Sequence, residues 1–306
     1  MSIERSAKGV GTKMKTEETT KKKLKVGIFG ITGCMGCQLN ILYQKDLMGI
    51  LDAVNLAAFP VGKEKNLEDS DFDIIFLEGV VVSQKDLEEL KKLRLMTKKL
   101  IAIGACATDG CVPAIKNFIN NKNVELSVYH ENELKEMQSL NPMPIDEFVK
   151  VDGYIRGCPM DKVEFLQFMK ATLLEKDFKV YEKPICYECN LMETGCLLEK
   201  GIECLGPVTF GNCSVMCPHE QYGCVGCRGP YPDANFEAYF KVLQSKGVSK
   251  EIIFKHLNRF AGIKFQRLME KQSEEMQTGG EHPCFDMFCR VSKEKLSKKG
   301  DNCWGK

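Results

Sequence analysis

Chemistry in this chain is concentrated in its thiols. Sixteen of the 306 residues are cysteine, and three pairs share one spacing: Cys34 with Cys37, Cys186 with Cys189, and Cys224 with Cys227. Two thiolates three residues apart can grip one metal centre from a single turn of chain. In the first pair, Gly33 and Gly36 let the backbone bend tightly while keeping amides near the sulfurs. Two chemistries suit that loop, an iron-sulfur cluster or a redox dithiol, since CxxC beside a βαβ pattern also marks thioredoxin-like sites. The other fourteen cysteines weigh towards the cluster.

The elements that must hold these thiols are legible as alternating apolar runs and helix-like stretches from Leu24 to about Glu175. They predict a largely parallel sheet with helices on its faces, an α/β class. The expected strands are Lys25 to Phe29, Val54 to Phe59, Phe72 to Leu77, Lys99 to Ile103 and Gly153 to Ile155. A helix from Gln38 to Met48 follows the first pair. Ser83 with Asp86 forms a capping-box start for a second helix bearing Leu87, Leu90, Leu93 and Leu95. Ligands of such sheets sit beyond the carboxyl ends of the strands. Three of those ends carry cysteine: Cys34 and Cys37, then Gly104-Ala105-Cys106, then Gly157-Cys158-Pro159. Together they offer four thiolates, the ligand count of a 4Fe-4S cluster. Read singly, Cys106 or Cys158 would pass as a small buried apolar residue.

Beyond a linker-like stretch from Lys176 to Pro184, eight cysteines crowd into one glycine-rich segment: Cys186, Cys189, Cys196, Cys204, Cys213, Cys217, Cys224 and Cys227. That segment is too poor in apolar residues for a core of its own, and two four-ligand metal centres would supply its folding free energy. By spacing, iron-sulfur and zinc both fit. Past Pro232 the pattern turns helical. Ser249 is placed to cap a helix with Ile252, Ile253, Leu257 and Phe260, and another helix is expected from Ile263 to Met276. His282, Cys284, Cys289 and Cys303 form a further candidate metal set with irregular spacing.

Composition narrows the partners. A formal net charge of +1 argues against nucleic acid, and no apolar run reaches the about 18 residues that span a bilayer. Residues 1–23 read as a disordered basic tail without an apolar signal region, and with no twin-arginine export signal the expected location is cytoplasmic. Gly27, Gly30 and Gly33 have GxxGxxG spacing, not the dinucleotide fingerprint.

With the cysteines placed, the chain resembles the small, electron-transferring subunit of a nickel-iron hydrogenase. The resemblance is to the cytoplasmic methyl-viologen-reducing, deazaflavin-reducing and sulfhydrogenase delta kind. It spans roughly Lys25 to Tyr231 and rests on Thr32-Gly-Cys-Met-Gly-Cys37, Leu77-Glu-Gly79, Gly104-Ala-Cys-Ala107, Gly157-Cys-Pro159, and Gly211-Asn-Cys-Ser-Val-Met-Cys-Pro218 followed by Gly223-Cys-Val-Gly-Cys-Arg-Gly-Pro230.

The resemblance implies a flavodoxin-like domain over 24–180, an iron-sulfur domain over 181–232 and a helical extension over 233–306. It implies three 4Fe-4S clusters: proximal on Cys34, Cys37, Cys106 and Cys158, distal on Cys186, Cys189, Cys196 and Cys204, medial on Cys213, Cys217, Cys224 and Cys227. Nickel chemistry would lie on a partner large subunit, electrons would leave to a flavin- or iron-sulfur-containing acceptor subunit, and no residue of this chain would act as acid or base. Cys111 stands where some oxygen-tolerant relatives carry an extra proximal ligand; those relatives also have a cysteine where this chain has Gly36, so Cys111 is left outside the twelve. Glu78 is expected either on a proton path or as an acceptor for backbone amides. Two rivals remain at this stage, a complex I-like electron-transfer subunit and a zinc-binding interaction protein.

Overall fold

The computed structural model describes residues 23–67, 70–119, 127–129 and 139–276. The tail before Lys23 and the candidate set His282, Cys284, Cys289 and Cys303 lie outside the described residues.

Five strands form the central sheet: β1 (Lys25–Gly30), β2 (Asn55–Ala58), β3 (Phe72–Glu78), β5 (Thr97–Ile103) and β7 (Gly153–Ile155). Every pairing is parallel and the order is β2-β1-β3-β5-β7. Their side chains alternate between two buried faces, as period-two geometry requires. Val26, Ile28, Ile74, Phe76, Ile101, Ile103 and Ile155 share one core with Phe165 and Met169 of helix α5 (Lys162–Leu173). Phe29, Ile75, Leu77, Leu100 and Ala102 face the other way, against Leu90 and Leu93 of α3 (Gln84–Leu95). The Ser83–Asp86 capping box that starts α3 is formed as expected.

Two elements depart from the linear reading. The single helix expected from Gln38 is two, α1 (Gly36–Leu42) and α2 (Leu47–Ala53). The buried side chain of Gln44 donates to the carbonyl of Lys162 at 3.0 Å, so a tertiary contact pins the turn between them. Short strands β4 (Val81–Ser83) and β6 (Ser139–Met143) pair antiparallel in a separate ribbon, a long-range pairing with no local signal.

In the second half, α6 (Ile185–Leu191), α7 (Met216–His219), α8 (Phe236–Ser245), α9 (Lys250–Asn258) and α10 (Gly262–Met276) follow. Ser249 caps α9 through the backbone N–H of Ile252. Ile185, Leu197, Leu205, Val208 and Val215 from the cysteine-rich segment pack into one core with Phe236, Phe240, Leu257 and Phe265 of α8 to α10. The segment thus borrows its hydrophobic support from the helices that follow it. Among the described residues no helix is long and apolar enough to cross a membrane.

Candidate metal centres

Sheet register brings the first group of thiols together. Gly30 lies opposite Glu78, Glu78 opposite Ile103, and Ile103 opposite Ile155, so four strands end in one row. Strand order reverses direction between β1 and β3, which makes the end of β1 the crevice where ligands of such sheets bind. The loop with Cys34 and Cys37 occupies that crevice, with Cys106 on α4 (Gly104–Asp109) and Cys158 beyond β7.

Close approach of these loops depends on two glycines. Gly104 has φ +79°, and a Cβ there would lie 2.2 Å from the Cys37 sulfur. Gly36 sits where a Cβ would fall 3.3 Å from the Cys34 sulfur. Glu78 is buried at the base of the site, its two carboxylate oxygens accepting the backbone N–H groups of Cys37 and Gln38 at 3.2 Å each. Of the two roles expected for Glu78, amide acceptor is the one its contacts display. It also acts on Cys37: burial first, and then the Glu78 charge, push that thiol far up, opposed by the Met160 N–H that donates to its sulfur at 3.4 Å.

Cys111 stands inside this group. It is 2% exposed, and its sulfur lies 4.0 Å from that of Cys158. The adjacent Cys111 thiol draws those of Cys106 and Cys158 down, Cys158 to about 7, while Cys111 itself is driven far up. Its spacing from Cys106 was the signal available in the sequence, and its backbone at φ 49° is one that spacing does not reveal.

The eight cysteines of the second half lie in overlapping neighbourhoods. Desolvation of its sulfur, then the neighbouring Cys204, Cys189 and Cys196, push the Cys186 thiol up to about 12, so those four share one environment. Cys224 is acted on by Cys204 first and then by Cys227 and Cys213, Cys213 by Cys227, and Cys227 by Cys217 and Cys158. Burial raises Cys213 to about 11. Thiols held up in this manner release protons when they bind a metal, which couples loading to pH. Around Cys213 the backbone is strained: Asn212, Ser214 and Val215 have φ of 73°, 53° and 52°. For a β-branched residue such as Val215 that conformation is a true outlier, of the kind found where a loop must aim a functional group.

These thiol neighbourhoods adjoin one another. Cys158 acts on the Cys227 thiol, which places the first group beside the loop that carries Cys227. The backbone N–H of Cys224 donates to the Cys204 sulfur at 3.2 Å, joining that loop to the set around Cys186. The donors gathered here are thiols, with backbone amides directed at the sulfurs of Cys37, Cys204 and Cys224, a chemistry suited to iron-sulfur clusters. Among the described residues no three Cys, His, Asp or Glu groups close tightly enough to hold one ion.

Residues 34–172 match the family profile of the NADH ubiquinone oxidoreductase, 20 Kd subunit. The chain is 40% identical to sulfhydrogenase 2 subunit delta of Pyrococcus furiosus over 78% of its own length and 99% of that protein's. It is 23% identical to a subunit of the F420-non-reducing hydrogenase of Methanothermobacter thermautotrophicus, covering 79% of this chain and 92% of the other. Among solved structures, the actinobacterial-type NiFe-hydrogenase from Ralstonia eutropha H16 superposes with a TM-score of 0.50 at 15% identity. That match covers 86% of this chain and 96% of the other and is a likeness of fold.

Proposed function

The chain belongs to the family of nickel-iron hydrogenase small subunits that includes the sulfhydrogenase delta subunit and its counterpart in the F420-non-reducing hydrogenases, and on that premise we propose that it is the electron relay of such an enzyme. Cys34, Cys37, Cys106 and Cys158 hold a proximal 4Fe-4S cluster, Cys213, Cys217, Cys224 and Cys227 a medial one, and Cys186, Cys189, Cys196 and Cys204 a distal one. Bound there, the clusters supply one-electron transfer between a large subunit that oxidises hydrogen at nickel and iron and a flavin- or iron-sulfur-containing acceptor subunit. The enzyme works in the cytoplasm.

The observation that carries this reading is the adjacency of the thiols: Cys158 acts on Cys227, and the Cys224 N–H donates to the Cys204 sulfur at 3.2 Å, which supports a file of three centres. The chain's own task is to hold the thiols, direct amides at them and limit water around them, because sulfur hydrogen bonds and solvent exposure set cluster potentials. The complex I-like reading draws support from the first thiol group and most of the sheet, since the matched profile spans residues 34–172 and ends before the eight-cysteine segment.

The test is anaerobic purification with the native partners, followed by metal analysis and paramagnetic resonance of the reduced protein. About twelve irons per chain, four for each of three clusters, are expected, together with nickel on a co-purifying large subunit. A colourless zinc protein overturns the relay, and a large partner without nickel moves the chain to another oxidoreductase.

A further inference from the structure

A buried ion pair crosses the seam between the first and second thiol groups. Arg228, directly after Cys227, has a side chain 3% exposed and places Nη2 2.7 Å from Oε2 of Glu164, itself 2% exposed, on α5. Its Nη1 donates to the carbonyl of Arg156 at 3.0 Å, two residues before Cys158. Its Nε–H is buried and has no acceptor among the described residues. The guanidinium therefore touches the strand end that carries Cys158, and its field reaches the sulfurs of Cys213 and Cys227.

A permanent cation kept out of water beside a redox centre favours the state that carries one more electron. An orphaned buried donor is costly unless some acceptor meets it, and the inorganic sulfide of a bound centre is an acceptor the chain alone does not provide. Arginine suits this position because it stays charged when desolvated and can hold two partners with one fork while a third N–H remains free.

We infer that Arg228 is a potential-setting residue for the centre held by Cys213, Cys217, Cys224 and Cys227, its charge and free Nε–H raising that centre's reduction potential while Glu164 offsets part of the effect. This rests on the relay reading. It adds that the medial centre is tuned by a cation locked to the proximal half of the molecule, so that the two halves must be docked for the potential to be correct.

The experiment is a redox titration, monitored by paramagnetic resonance, of the intact complex carrying Arg228→Met, Arg228→Lys or Glu164→Gln, with the distal signal as internal reference. A buried unit charge a few ångströms from a centre shifts an equilibrium by more than tenfold, and Glu164 cancels part of it. For Arg228→Met the reduced-to-oxidised ratio of the medial centre at a given potential should fall about tenfold, a downward shift of about 59 mV for one electron. Arg228→Lys keeps the charge and should fall between wild type and Arg228→Met. Glu164→Gln removes the offsetting charge and should move the medial potential upward. If Arg228→Met fails to assemble, the direction of the Glu164→Gln shift decides alone. A medial potential unmoved in Glu164→Gln and in any loaded Arg228 variant, or shifts equal at distal and medial centres, overturns the inference. Absence of the three centres from the wild-type complex would instead refute the relay itself.

Discussion

Gly104→Ala is the sharpest test of how the first thiol group is built. Two costs arise at once. The backbone there has φ +79°, so any side chain carries left-handed strain of about 1–2 kcal/mol. The added Cβ would also sit 2.2 Å from the Cys37 sulfur, whereas a comfortable contact is about 3.5 Å or more. Something must move by about 1.3 Å. The backbone of Cys37 is held by Glu78, and Gly104 is fixed by the hydrogen bond from the Ala105 N–H to the carbonyl of Gly157, so the thiol is what swings away. Metal–ligand distances tolerate about 0.2 Å, and a displacement several times larger removes Cys37 as a ligand. The variant should fold, lose about four of twelve irons and lack the proximal paramagnetic signal. Gly201→Ala is the control, because Gly201 has φ +76° with nothing within 4 Å of its would-be Cβ; it carries the strain and should keep its iron. Full iron and an unchanged proximal signal in Gly104→Ala would refute the reasoning.

Two further outcomes are expected. Glu78→Ala strands the buried N–H groups of Cys37 and Gln38 at the start of α1, which should destabilise the metal-free chain by about 1–3 kcal/mol, read as a lower urea midpoint. In the metal-free chain Cys158 should be alkylated by iodoacetamide at half its maximal rate at about pH 7 and more slowly below it, because the hydrogen bond from Cys111 favours its thiolate. Cys213, raised to about 11 by burial, should react only under alkaline conditions. Mass spectrometry of the labelled peptides checks both, and Cys111→Ala should move the Cys158 profile to higher pH.

Much of this protein could be read along the chain. Parallel strands buried on both faces appear as unbroken apolar runs, so Phe72 to Leu77 and Lys99 to Ile103 stood out within two residues of their observed ends. The capping pair at Ser83 and Asp86 is equally local, as is the serine that starts α9. Thiol spacing and flanking glycines pointed to clusters without any tertiary information. What local pattern could not hold is contact between distant residues. Gln44 reaching Lys162 divides a helix that periodicity alone would have run on to Met48. The pairing of Val81 with Met143 joins segments with nothing between them to announce it.

The thiol sites divide along the same line. Which residues could bind metal is a matter of chemical type and spacing, and both are written in the linear order of the cysteines. Whether Cys111 lies beside Cys158, whether Cys227 meets the loop of Cys158, and whether Arg228 is locked to Glu164 are matters of register, strand order and the docking of one core against another. Those relations arise because burial brings remote segments together wherever apolar faces match, and charge follows into the seam only where a partner already waits.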